Sequence, residues 1–354
     1  MYTRQFDEPP RKIIENGKAR LGSFTPVSSH IDIKGMRSPY AGVPVPTFLS
    51  NLRIKSRLTY TFSLGTYIGF VEFRDFKVFG LSEVTFWNKE TCKRSSYHSI
   101  MPARRRFVPT KTSKAICACY QKHRRIRLFW EDSHDFFKCQ FNVKGDKVRP
   151  SAKGKMISVR DDSQHSDVMY VNPAPTSSRI SASWLSTMKI RGSLHTYTED
   201  SVQEHKIEDG IALVSMNRAY FKFNTDTNSV TGIGQVKGKN IIFSIGTANI
   251  DAADNFKYNS NTLVADGEVT PLPPVVITHP FGISRDWIIQ DTENMVDLTF
   301  SPASIQSRTV NVLVMRTVSD VIYGTFEGVL LTKDGEKIVL KNFPGIVSKS
   351  HVRT

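Results

Sequence analysis

Tyr323-Gly324-Thr325-Phe326-Glu327-Gly328-Val329-Leu330-Leu331, then Lys333-Asp334-Gly335-Glu336, then Ile338-Val339-Leu340: this stretch decides how the chain reads. Two apolar, β-branched runs flank an Asp-Gly pair, and residues that tolerate positive φ close the tight turns whose twist matches that of paired strands. The stretch predicts a β-hairpin. Working back from it, the same signals recur. Asp266-Gly267 separates Thr262-Leu263-Val264 from Val269, and Lys237-Gly238 precedes Ile241-Ile242-Phe243-Ser244-Ile245. Thr59 to Phe62, Tyr67 to Phe73, Phe76 to Phe79 and Val84 to Trp87 read as a meander rich in aromatic and β-branched residues. Phe136 to Val143 and Gly210 to Val214 read as further strands. No window of helical length keeps an apolar stripe at 3.6-residue spacing, so helices should be few and short. The expected class is all-β, with two tandem antiparallel β-barrels or β-sandwiches, because many short strands need their edges curled or covered.

The chain has 354 residues and a net charge of +15. That length suits two domains. The best breaks in composition are the polar Asn172-Pro173-Ala174-Pro175-Thr176-Ser177-Ser178 and the acidic Glu199-Asp200-Ser201-Val202-Gln203-Glu204. A division near 190 between them gives domains 1–190 and 191–354. Charge is uneven across it: residues 1–190 hold 33 Lys/Arg against 15 Asp/Glu, and residues 191–354 hold 15 against 18. The basic excess is densest through Arg104-Arg105-Arg106, Lys111, Lys114, Lys122, Arg124, Arg125 and Arg127. Such a face suits nucleic acid or an anionic membrane, and it equally suits a solvated strand, since Ile126, Leu128 and Trp130 alternate with Arg125, Arg127 and Phe129. Met1 to Arg20 carries charges throughout and no signal-like apolar run. Cys92, Cys117, Cys119 and Cys139 show no disulfide-scaffold spacing. Both features lead to an expected cytoplasmic location.

Few chemical motifs survive inspection. Cys117 and Cys119 share one strand face and, with Cys92, Cys139, His123 and His134, sketch a zinc site, but the spacings match no zinc knuckle. Neighbouring residues of Ser133-His134-Asp135 point to alternating faces of a strand and cannot form a relay. Gly232 to Gly238 has the wrong spacing for a dinucleotide loop and reads as a turn signal. No metal and no cofactor is expected.

Several segments together resemble a bacterial family known as a domain of unknown function, DUF2804, which is similar to the lipocalin-like AttH and carotenoid hydratase group. The terminal hairpin carries the resemblance, as does Trp287 followed by Val296-Asp297-Leu298-Thr299-Phe300-Ser301-Pro302. Arg53-Ile54-Lys55 is similar to the family's Arg-Ile-Lys-Glu-Trp, with Ser56 and Arg57 in the last two places. Ser215-Met216-Asn217-Arg218-Ala219 stands where the family shows Asp-Trp-Gly-Arg-Gly. Asn259-Ser260-Asn261 stands at a Thr-Glu-Asn pattern, and the tail from Gly345 to Arg353 resembles Gly-Phe-Ala-Glu-Lys-x-His-x-Arg. Acids of the resembled pattern are therefore replaced by Ser215, Ser260 and Ser348, while Arg53, Arg218 and Arg353 remain.

The resemblance implies lipocalin-like barrels and a long apolar ligand. Arginines that have lost acidic partners are either solvated or met by an anion, because a buried unpaired guanidinium is costly. The expected function is to bind an apolar or amphipathic small molecule, lipid- or isoprenoid-like, in a cavity or inter-domain cleft. Trp184 and Trp287 would hold its body, and Arg53, Lys55 and Arg218 an acidic head. An interaction protein using the basic face is one alternative. A lipocalin-like hydratase or cyclase is the other, with Asp297 and Glu327 as candidate acids, but the missing family acids weigh against an enzyme. No catalytic residue is assigned.

Overall fold

The computed structural model describes residues 2–353 except 41–44, 104–106, 132–135, 160, 162–163, 198–205 and 313–314. Almost every described element is a strand, and the single described helix is the short Thr47–Leu52. The strands form a twelve-stranded sheet, a nine-stranded sheet and a small pair near the N-terminus.

The first sheet grows from the predicted meander, except that Phe76 to Val78, read as the start of a strand, instead form the turn into Phe79–Asn88, with Lys77 at φ +73°. Ile54–Leu64, Tyr67–Asp75, Phe79–Asn88 and Arg94–Pro102 pair in sequence order. Glu208–Tyr220 joins the free side of Ile54–Leu64 and pairs in turn with the long strand Ile180–Tyr197. Beyond that come Ser151–Ser158, Phe136–Val143, Arg124–Glu131 and Lys114–Gln121. The two ends of this path approach each other: Gln121 Nε2 donates to the Ile100 carbonyl at 2.9 Å, and Arg149 reaches the Ser96 carbonyl at 2.9 Å. The result is a nearly closed barrel. Alternation sends Leu58, Tyr60, Phe62, Val71, Phe73 and Phe86 inward to meet Leu128, Trp130, Phe137 and Phe141 in one core. Cys117, Cys119 and Cys139 are buried in that same core.

The second sheet runs, in spatial order, Glu268–Pro271, Thr262–Ala265, Lys239–Ala248, Asn224–Val236, Lys337–Arg353, Met315–Leu331, Val296–Val312, Trp287–Asp291 and Val275–Thr278. Its edge strands, Glu268–Pro271 and Val275–Thr278, are joined by three residues, so the sheet must curl to bring its ends together. The terminal hairpin is its centre, with Tyr323 opposite Ile346 and Leu330 opposite Ile338. Gly335 in the turn has φ +82° and Gly267 has φ +84°, as the Asp-Gly readings require. Gly328 sits at a bulge with φ +130°, where a Cβ would lie 2.1 Å from the Asp297 carbonyl. Gly232, read as part of a turn, instead lies mid-strand, where the Phe243 ring lies across the space of a side chain.

Sheet membership changes between Tyr220 and Asn224. Residue 190 falls inside Ile180–Tyr197, and both that strand and Glu208–Tyr220 belong to the first sheet. A polar, acidic stretch marks a break in composition, but a loop between two antiparallel neighbours has the same composition as a linker. The acidic 199–204 segment lies outside the described residues.

The sheets pack back to back. Ile68, Phe70, Trp87, Leu185 and Leu213 on the barrel's outer face meet Ile233, Ile242, Val321, Tyr323 and Ile346 of the second sheet. Trp87 stacks on Tyr323 at 5.6 Å. A second contact joins Phe76, Phe79 and Leu81 to Met315 and Val352.

Candidate functional site

Away from the Trp87–Tyr323 seam the two sheets diverge and leave a cavity of about 280 Å³. Because side chains alternate along a strand, alternate residues along part of Ile54–Leu64, Ile180–Tyr197 and Glu208–Tyr220 that do not enter the barrel core face this cleft. Lys55, Arg57, Thr59 and Thr61 come from the first of these strands, Ser183 and Leu185 from the second, and Leu213, Ser215 and Asn217 from the third. The opposite wall is built by Ser229, Ser244, Val321, Ile346, Ser348 and Ser350, with Ile250, Asp251 and Ser260 on connecting loops.

The wall is amphipathic. Phe70, Leu185, Leu213, Val321 and Ile346 give an apolar patch continuous with the seam. Hydroxyls and amides dominate the rest and largely satisfy one another. Ser229 and Ser348 share a hydrogen bond of 2.8 Å, while Ser183 Oγ and Asn172 Nδ2 each donate to Ser260 Oγ at 3.0 Å. The buried Ser350 hydroxyl has no protein partner among the described residues. Ser215, Ser260 and Ser348, which stand where the resembled pattern carries acids, all line this cleft.

Charge in the cleft is confined to a few groups, of which the buried carboxylate is ion-paired. Glu72, on the outer face of Tyr67–Asp75, is 1% exposed and accepts from Arg57, Arg74 and Thr59 Oγ1. Burial alone would raise its carboxyl, but the two guanidinium groups hold it down at about 2. Lys55 Nζ donates to the carbonyls of Leu52 (3.0 Å) and Phe76 (2.8 Å). Burial, reinforced by the charge of Arg53, lowers it to about 8. At the rim, Asp251 accepts the Ala248 N–H at 2.6 Å, and partial withdrawal from water raises its carboxyl to about 6. Sequence reasoning missed Asp251, which sits in an Asp/Asn-rich loop and shows no periodic signal.

Of the five residues expected to hold a ligand, Lys55 lines the cleft. Arg53 sits beside it at the end of the Thr47–Leu52 helix, donating to the Phe221 carbonyl at 3.2 Å and lying over the Tyr40 ring. Arg218 faces the opposite way, into the end of the barrel, because it alternates with the cleft-facing Asn217. Ser56 Oγ (2.9 Å) and the carbonyls of Val108 (2.8 Å) and Pro109 accept its hydrogen bonds, and burial lowers it to about 10. The anion expected at Arg218 is thus replaced by backbone oxygens. Arg353 lies over the Phe223 ring. Trp184 belongs to the barrel interior, where its indole N–H donates to Asp167 at 2.9 Å. Trp287 is buried in the core of the second sheet against His279, donating to the Ile283 carbonyl. These five residues do not form one site.

The other candidates separate in the same way. Asp297 and Glu327 point to solvent from their strands. None of the four cysteines forms a disulfide, and among the described residues no group of three His, Cys, Asp or Glu side chains is placed to hold a metal ion. Arg104-Arg105-Arg106 and Ser133-His134-Asp135 lie outside the described residues. Further along the basic region, Arg125 and Arg127 share an outer face with Lys138, Lys153 and Lys155, and none of the five is ion-paired among the described residues.

A family described as a domain of unknown function (DUF2804) matches residues 45–353. No curated protein matches the sequence. Among solved structures, the chain is similar to kievitone hydratase from Nectria haematococca, with a TM-score of 0.47 and 11% identity, covering 89% of this chain and 94% of that one. It is also similar to a putative AttH from Nitrosomonas europaea, with a TM-score of 0.46, 9% identity and coverage of 90% and 99%. A third similar structure is that of CghA, with a TM-score of 0.35, 9% identity and coverage of 85% and 88%.

Proposed function

The chain belongs to the DUF2804 family, and from the chemistry of its own cleft we propose that it binds an apolar or amphipathic small molecule between its two sheets. The observation that carries this reading is the cavity of about 280 Å³, walled by both sheets and continuous with the apolar seam. A pocket that is largely apolar with a few placed polar groups suits a ligand with a greasy body and one polar end. The body lies against Phe70, Leu185, Leu213, Val321 and Ile346, and the polar end meets the hydroxyls and Lys55. Lys55 is charged below about pH 8, which favours an acidic head. Binding is better supported than catalysis, because hydroxyls occupy the wall and the raised acid, Asp251, stands at the rim. Four cysteines outside any disulfide fit a reducing, cytoplasmic compartment. No described helix is long and apolar enough to cross a membrane.

The test is to purify the protein natively, extract it with organic solvent and analyse the extract by mass spectrometry beside a Leu213→Trp variant that fills the cleft. We expect a stoichiometric amphiphile from the wild type and none from the variant. A well-folded wild type with an empty extract, which also fails to bind 1-anilinonaphthalene-8-sulfonate, overturns the reading.

The outer face bearing Arg125, Arg127, Lys138, Lys153 and Lys155 favours a second reading, contact with an anionic polymer or membrane. Binding through such a face falls steeply with added salt, because phosphate contacts release counterions. Salt-insensitive retention of the cleft ligand separates the two readings.

A further inference from the structure

The strand Ile180–Tyr197 presents Ser183 and Leu185 to the cleft, and its alternate residues Trp184, Ser186 and Met188 turn to the other side. There they line a second cavity, of about 110 Å³, at the mouth of the barrel. Trp130, Phe136 and Phe137 form its aromatic wall. Tyr60, Phe137 and Trp130 make a ladder of nearly parallel rings, at 5.3 Å and 11° for the first pair and 5.6 Å and 1° for the second. Trp184 closes in from the side at 6.0 Å and 54°.

The polar groups here are unlike those of the cleft. Trp130 is 3% exposed, and its indole N–H has no partner among the described residues. A buried donor of this kind calls for an acceptor. Trp184 already donates to Asp167 Oδ1, and the other oxygen of Asp167 meets His165 Nε2 at 3.2 Å. Asp161 pairs with Lys189 at 2.8 Å, and Glu131 with Lys114 at 2.5 Å. Among the described residues, three carboxylates at the mouth against two lysines and one histidine leave no excess of positive charge for an anion when His165 is neutral.

We propose that this mouth is a second ligand site, which takes a small, neutral, hydroxylated aromatic ring. The ring packs edge-on against the Trp130 and Trp184 indoles, which already touch each other, and its oxygen accepts the Trp130 N–H while its hydroxyl proton points to a rim carboxylate. The cavity is smaller than the about 150 Å³ that holds benzene, so it takes no more than a single ring, part of which stays in the open mouth. A phenol supplies both the acceptor and the donor. Benzene supplies neither, and benzoate brings a charge the mouth does not offset.

The tryptophans make the test. The chain has four: Trp87 in the seam, Trp287 in the second core, and Trp130 and Trp184 at the mouth. The full chain labelled with 5-fluorotryptophan, with resonances assigned by single Trp→Phe variants, is titrated with phenol and followed by fluorine NMR. We expect the Trp130 and Trp184 resonances to shift saturably while those of Trp87 and Trp287 stay in place, and benzoate to produce no shift. Trp130→Phe keeps a ring but loses the donor, and should weaken phenol at least tenfold, read at Trp184. Leu213→Trp should leave phenol binding unchanged, which keeps this site separate from the cleft. The proposal fails if no resonance moves up to the solubility of phenol, if benzoate acts as phenol does, or if Trp87 moves instead.

Discussion

The barrel has a covered half and an open half, and in sequence the two read alike. Ile54–Leu64, Tyr67–Asp75 and Phe79–Asn88 are buried on nearly every residue, whereas Lys114–Gln121, Arg124–Glu131, Phe136–Val143 and Ser151–Ser158 alternate between buried and exposed. Both halves place charges at alternate positions. In the covered half Arg57, Glu72, Arg74 and Glu83 lie under the second sheet, tied into Arg57–Glu72–Arg74 and into Glu83–Arg308 at 2.6 Å. In the open half Arg125, Lys153 and Lys155 are exposed and Arg127 and Lys138 half-buried, none of them ion-paired among the described residues. A charge taken out of water must find a counter-charge, and one left in water need not. The second sheet therefore decides which half is a salt-bridged interface and which is a free basic surface.

The largest expected contrast comes from single substitutions on either side. Glu72→Gln leaves two guanidinium groups without their carboxylate and should cost about 3–5 kcal/mol in urea unfolding. Arg127→Gln should stay within about 0.5 kcal/mol. Equal losses at the two sites would break the comparison. Acid titration sharpens it. The Glu72 carboxyl sits at about 2 in the folded chain, against about 4.3 unfolded. Its contribution is therefore complete above about pH 4.3 and lost as pH falls toward 2, worth about 3 kcal/mol. The wild type should lose that amount across this window relative to Glu72→Gln, measured by urea unfolding at each pH.

Lys55 gives the next effect, in binding rather than folding. Its amine loses charge as pH rises through about 8. Affinity for an anionic amphiphile should fall by about tenfold, or about 1.4 kcal/mol, between pH 7 and pH 9. The Lys55→Met variant should show a flat profile. The smallest effect belongs to the open half. A Lys153→Glu and Lys155→Glu double variant should leave the urea midpoint within about 0.5 kcal/mol of wild type. Any binding to an oligonucleotide should lose roughly two units of slope against the logarithm of salt concentration. A large loss of stability there would mean that the face is covered.

The elements whose signals are local were readable before the structure. Asp334-Gly335 and Asp266-Gly267 announce their turns because positive φ is a property of a residue and its neighbour. The meander and the scarcity of helix follow from alternation. Lys55 was picked out and does line the cleft, but Arg218 was assigned to a ligand and instead caps the barrel's interior on backbone carbonyls. A one-residue change of parity separates Arg218 from Asn217, and nothing local tells which face of a strand a second sheet will cover. The cleft's own signature is weaker still. Ser215, Ser260 and Ser348 stand far apart in the chain and carry no pattern beyond the resemblance in which they replace acids. Their meeting in one cavity is visible only after the sheets are paired.

By itself the sequence determined an all-β chain, its main hairpins and its family, because strand alternation, turn chemistry and short stretches of family-like wording act over a few residues at a time. The tertiary structure decided where one sheet ends and the next begins, which charges are buried, and that a cleft and a separate barrel mouth exist. Those outcomes depend on strands such as Ile54–Leu64 and Glu208–Tyr220 pairing across more than a hundred residues. They depend equally on the outer faces of two sheets finding each other, and burial arises from that packing rather than from the identity of any one residue.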